Sequence, residues 1–242
     1  MKYRVLLSLP LSILCHLSGI NSFPAQAEIT TGAIACVPAS GVGLSQDCVN
    51  QILVEGRTLV RRGEFTEALA LYQKAAQHIT NNARVYSAIG FLQTRHQDFQ
   101  AAVVAYQKAI ALEPRNSRFH YALGFSLAHL GDYERAAQAY RQVIEIIPTH
   151  ADAYLSLGIV LTRQGEHRRA LLAYATALAL QPNNSQIYQA IGTTYVDLGK
   201  PQEAIAFFER AGQLSYQSTY QPTSEPTSLR RDTEDGLIGY RR

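Results

Sequence analysis

The 242-residue sequence contains no tryptophan, a single methionine and only three cysteines, and it carries little excess of either charge. Each shortage removes a class of function. Cys15, Cys36 and Cys48 lie too far apart for the Cys-x-x-Cys spacing of a dithiol redox centre. His-Glu-x-x-His, Gly-x-Ser-x-Gly and a glycine-rich phosphate loop are all missing. Gly41–Ser45 (GVGLS) lacks the lysine of such a loop, and no strand pattern precedes it. His78, His96, His120, His129, His150 and His167 are scattered, with no pair at the i, i+4 spacing of a helical metal site. The formal charge of +3 falls to +1 if Lys2 and Arg4 are lost, which gives no general argument for nucleic acid. No cofactor is implied, and no catalytic residue stands out.

What the sequence does contain is a period. Gly56, Gly90, Gly124, Gly158 and Gly192 recur every 34 residues, with no insertion between any two. Ala68, Ala102, Ala136, Ala170 and Ala204 follow each glycine by twelve, and Tyr72, Tyr106, Tyr140, Tyr174 and Phe208 come four later. A small residue stands three further on, as Ala75, Ala109, Val143, Ala177 and Ala211. Self-similarity at this period predicts a stack of helical hairpins, each burying its apolar face only against its neighbours. The glycine and alanine let two helices approach closely, and the aromatic is expected between hairpins. Gly63, Gly131, Gly165 and Gly199 fall where the first helix of a pair should end. Pro114, Pro148 and Pro182 close the second helix, and Asn82, Asn116 and Asn184 are placed to cap the next one.

These residues resemble the tetratricopeptide repeat family. With the glycine as the eighth place, the repeats are 49–82, 83–116, 117–150, 151–184 and 185–218. The family's large residue at the fourth place is Ile52, Tyr86, His120, Tyr154 and Tyr188. The closing proline is replaced by Thr80 and Tyr216 in the outer repeats, and atypical end repeats are expected of a solenoid. The resemblance implies an all-α, right-handed superhelical solenoid of five helix-turn-helix repeats that binds protein partners without catalysis.

Around the repeats lie three other segments. Residues 1–27 read as a secretory signal peptide: Lys2 and Arg4, the short apolar run Val5–Leu14, then Ala25-Gln26-Ala27 as a cleavage site. Pro10 and Ser12 interrupt that run, which is short for a membrane span. A retained anchor is the alternative reading, and Leu14 is large for the residue before a lipidated Cys15. The expected location is the periplasm or an equivalent lumen, with secretion as the runner-up and no stable membrane span after cleavage. Residues 28–48 form a linker in which Cys36 and Cys48 are most simply a disulfide in an exported chain. Two free thiols or an intermolecular bond remain open, since sequence does not fix connectivity. Residues 219–242 hold Pro222, Pro226 and the mixed charges of RRDTED, and are expected to form a disordered tail. No capping helix is visible after the last repeat, so Ile205, Phe207, Phe208 and Leu214 are expected to expose apolar surface. Leu237, Ile238 and Tyr240 are candidates to cover it.

In proteins of the resembled family the inner groove is lined from places 2, 5, 9, 12 and 13 of each first helix. Here places 5 and 9 put Phe91, Tyr121, Phe125, Leu155 and Ile159 in one strip, with Arg57 and Ser87 at the same places beside it. Places 2 and 13 supply Arg61, Arg84, Arg95, Arg118 and Arg163, with Asp152 and Asp197 as the acidic exceptions. Contiguous apolar surface rimmed by arginine points to a protein or peptide segment with apolar anchors and some carboxylates. A homo-oligomer through the uncapped last repeat is the alternative, and a glycan or lipid groove is a third. The family's chaperone-tail clamp is not matched, because Leu53, Arg57, Ala88, Arg118 and Ala122 stand at its places. An enzyme is not expected: 21 residues before Val49 and 24 after Ser218 are too few to fold a catalytic domain.

Overall fold

Side-chain caps mark where the first helices begin. Asn82, Asn116 and Asn184 each accept a hydrogen bond from the backbone N–H two residues on, at 3.0, 3.2 and 3.0 Å. His150 takes the same role in the fourth hairpin, its Nδ1 accepting from the Ala153 N–H at 3.2 Å. Asp98 and Asp132 cap second helices through the N–H groups of Ala101 and Arg135. Each such bond satisfies a donor that the helix itself leaves open.

The computed structural model describes residues 45–220. Among them are ten helices and no strand: α1 Gln46–Arg62, α2 Phe65–Ala76, α3 Ala83–Arg95, α4 Phe99–Leu112, α5 Ser117–His129, α6 Tyr133–Ile146, α7 Ala151–Arg163, α8 His167–Leu180, α9 Ser185–Asp197 and α10 Pro201–Tyr220. They pair as five hairpins. Each of the first four second helices also packs on the first helix of the next hairpin. The architecture is the all-α solenoid that the period predicts.

Two ends differ from the expected boundaries. Ser45 caps α1 by accepting from the Cys48 N–H at 3.3 Å, so helix begins at Gln46 rather than Val49, and Cys48 is buried within it. Cys36 lies outside the described residues, as do the signal segment 1–27 and the apolar trio near residue 240. At the other end α10 runs through Thr219 to Tyr220, past the expected limit of Ser218. Pro222 sets how far that helix can run, since a proline disfavours helix at the residue before it.

The repeat glycines prove to be coupled to the aromatics. A Cβ built on Gly56, Gly90, Gly124, Gly158 or Gly192 would stand under 3.0 Å from the ring of Tyr72, Tyr106, Tyr140, Tyr174 or Phe208 respectively. The ring therefore lies in the place vacated on its own hairpin, as well as between hairpins. The four tyrosines are 1–3% exposed, and the alanines Ala68, Ala102, Ala136, Ala170 and Ala204 are 0–1% exposed. Gly63, Gly131, Gly165 and Gly199 turn the hairpins with φ between 71° and 81°. The second hairpin makes the same turn at Gln97, with φ 61° and a side chain.

Candidate protein-binding face

The candidate residues all lie on first helices, and neighbouring first helices touch along a polar seam. Thr94 and Ser126 approach at 3.4 Å, Thr162 and Thr194 at 3.0 Å, and the Tyr121 hydroxyl lies 3.2 Å from Ser156 Oγ. Thr94, Ser126 and Thr194 are buried, and each hydroxyl is also within reach of the carbonyl four residues back, so in each pair only one hydroxyl can donate across the seam while the other donates to its own helix. A slip of register would lose the cross-seam contact but leave each hydroxyl its own-helix carbonyl, so these pairs add a modest preference for the observed register.

The structure divides the expected apolar strip. Phe91 and Leu155 are buried, at 9% and 7% exposure, so they are corrected from exposed anchors to parts of the stack, and Ser87, expected in the groove, is buried at 5%. Phe91 joins the core of the first two hairpins, and Leu155 joins the core that runs from Val103 in the second hairpin to the fifth. Tyr121 and Phe125 are half-buried. Ile159 is the exposed member, at 42%.

The half-buried rings are held by neighbours. Tyr121 lies 5.4 Å from Tyr140 edge-on and stacks on His150 at 5.4 Å. Burial pushes its phenol above the ordinary value; the Ser156 bond opposes that shift and the Asp152 carboxylate adds to it. Phe125 lies 4.3 Å from His129, which stacks face to face on Phe99 at 4.5 Å and 5°. One hairpin earlier the Arg95 guanidinium sits 4.1 Å over the Phe65 ring. A ring at the start of a second helix thus supports a side chain at the end of the next first helix, thirty residues on. The sequence reading missed Phe65, Phe99, His129, His150 and Ser156 as supports. The signal was the constant spacing from Phe65, Phe99 and Tyr133 to Arg95, His129 and Arg163.

Arg57, Arg61, Arg84, Arg95, Arg118 and Arg163 are all exposed. Arg57 Nε donates to the Leu53 carbonyl at 3.2 Å, and Arg61 donates to Thr58 Oγ1 at 3.4 Å. The ion pairs among the described residues lie elsewhere: Arg135 with Asp132, Arg169 with Glu166, and Lys200 with Glu203. None of Arg57, Arg61, Arg84, Arg95 and Arg163 has a carboxylate partner among the described residues. The arginines crowd the first three hairpins, whereas the exposed Asp152 and Asp197 stand on the last two. No three His, Cys, Asp or Glu side chains gather as a metal site among the described residues. No helix there is long and apolar enough to cross a membrane.

Residues 96–215 match the family model of the cilia and flagella-associated protein 70 middle TPR-like domain. That match and the solved structures below support a tetratricopeptide repeat family for this chain. Solved tetratricopeptide-type structures align over most of their own length. A crystal structure of MamA is 26% identical, covering 68% of this chain and 96% of that one at a TM-score of 0.64. MamA from Desulfovibrio magneticus RS-1 is 23% identical, covering 69% and 95% at 0.66. YrrB, described as a TPR protein with an unusual peptide-binding site, is 21% identical, covering 70% and 87% at 0.61. The last two likenesses show the fold alone. No curated protein sequence matches the chain. Tetratricopeptide repeat proteins are typically non-catalytic binders of proteins and peptides.

Proposed function

We propose that this protein is an exported, non-catalytic scaffold whose first-helix face binds an acidic segment of a partner protein. The observation that carries this reading is the set of exposed arginines on α1, α3 and α7 with no carboxylate partner among the described residues. Arginine's planar fork suits bidentate carboxylate recognition. Ile159 and the accessible edges of Tyr121 and Phe125 supply apolar contact beside those charges. Phe91 and Leu155 shape the floor from below. The peptide-binding description of YrrB agrees with this use of the fold.

Capture from the exported fraction tests the reading, comparing the mature chain with Arg84→Glu, Arg95→Glu, Ile159→Asp. These three side chains are exposed, so helicity and thermal midpoint should change little while the partner is lost. Capture of the same partner at the same yield by both proteins would move the site off this face. Export itself rests on the amino-terminal pattern, and sequencing of the exported product should begin at Glu28. The Cys36–Cys48 bond is part of the same proposal. Its mark is a mass two hydrogens lower than that of the reduced chain.

A further inference from the structure

The two ends of the solenoid differ in chemistry. On interior first helices the residues that face the preceding hairpin are apolar and buried, such as Val85, Phe119, Ala153 and Ile187. At the amino-terminal end the matching place holds Gln51, and Glu55 and Thr58 follow on the same side of α1. That end suits water. At the other end, places that face a following hairpin keep interior residues. Val103 and Ala137 are 3% and 1% exposed, while Ile205 at the same place is 49% exposed. Tyr174 is 1% exposed, and its counterpart Phe208 is 41% exposed. Val196 is 47% exposed where Thr94 is 8%. Two residues expected to add to this surface do not: Leu214 is buried at 6%, and Phe207 is half-buried, stacked on Tyr195 at 5.3 Å. The fifth hairpin is an interior hairpin with its outward face uncovered by residues 45–220. Head-to-tail stacking of a second copy would set Gln51 and Glu55 against Phe208, leaving polar groups without water.

A suitable cover continues the same chain. Residues 221–242 follow α10 directly, and their apolar side chains other than proline are Leu229, Leu237, Ile238 and Tyr240. Arg241 and Arg242 follow the trio, and the exposed Glu209 is next to Phe208 on α10. Reach is not limiting. Phe208 lies roughly 18 Å back along α10 from Tyr220 at ~1.5 Å per residue. The residues from Tyr220 to Leu237 span up to roughly 55 Å when extended. A segment tethered this closely acts at millimolar effective concentration, well above a second copy in dilute solution.

We infer that residues 229–242 cap the fifth hairpin in cis, placing Leu237, Ile238 and Tyr240 on Ile205 and Phe208 with Arg241 and Arg242 toward Glu209. The cap replaces the sixth first helix that the interior pattern calls for. It leaves the arginine face of the first three hairpins untouched, so it stands or falls independently of partner binding.

The missing tryptophan makes the test clean. In the full mature chain, Ile205→Trp gives a single indole at the centre of the proposed contact. Its emission should be that of a covered indole in dilute and concentrated protein alike. Adding Leu237→Ser, Ile238→Ser and Tyr240→Ser should shift that emission to the red. In the otherwise natural chain the same tail changes should lower the thermal midpoint by about 3 °C. Emission of a fully exposed indole in the full chain, or no response to the tail changes, overturns the inference. A blue shift that appears only in concentrated protein, together with a dimer, also overturns it and assigns the face to a second copy.

Discussion

The fourth and fifth hairpins follow one plan, yet one is locked and the other is open on one side. In the fourth, Tyr174 fills the space above Gly158, its hydroxyl lies 3.2 Å from Thr162, and α9 closes over it. In the fifth, Phe208 sits above Gly192 without a hydroxyl and remains 41% exposed. The difference teaches that the repeat signature specifies a hairpin but only the neighbour completes it. Energy in a solenoid resides at interfaces as much as within repeats.

The comparison is broken most strongly by a single methyl group. Gly158→Ala drives a Cβ into a ring that has nowhere to go, and should destabilise by about 3 kcal/mol in chemical denaturation. Gly192→Ala should cost about 1 kcal/mol, because the Phe208 ring can swing outward. Equal costs would show that the last interface is as tight as the interior ones.

Alkaline pH is the next lever, since the interior rings carry phenols and the last does not. Burial pushes Tyr72 from 10.0 to about 12, with Arg57 opposing the shift, and it raises Tyr140 and Tyr174 as well. A raised folded-state value means the unfolded chain ionises first. Stability should therefore be full below pH 10 and fall as pH rises from 10 through about 12, by roughly 2 kcal/mol for Tyr72 alone. Denaturation midpoints against pH, read with tyrosinate absorbance, check the sign. A smaller effect, in the opposite direction, lies in the second hairpin. Gln97→Gly should stabilise by about 1 kcal/mol, because φ 61° costs a residue with a Cβ and costs glycine little. A loss of stability would show that the Gln97 side chain earns its strained backbone through contacts.

The fold was legible because each packing place repeats five times. Glycine, alanine, aromatic and cap residues all fell where the period put them, and Asn82, Asn116 and Asn184 cap as their positions suggested. The candidate face was only partly legible. Arginines could be placed on first helices by counting, and they are exposed there. The fate of Phe91 and Leu155 could not be counted, because their exposure depends on how closely successive first helices approach. That approach is set by pairs such as Thr94–Ser126 and Thr162–Thr194, which are distant in sequence and unremarkable as residue types. The helix limits at Gln46 and Tyr220 were missed for a local reason. Ser45 is a cap without a repeat counterpart, and α10 meets no proline or glycine between Ser218 and Tyr220.

The most direct test of the binding account places one photoreactive side chain on each face of the solenoid. Ile159 marks the first-helix face, and Leu172, 71% exposed on α8, marks a second helix. Cross-linking in the exported fraction should join a discrete partner to position 159 and not to 172. The product should disappear when Arg84→Glu and Arg95→Glu are added. A partner joined at 172 and absent at 159 would contradict the account and place recognition on the second helices.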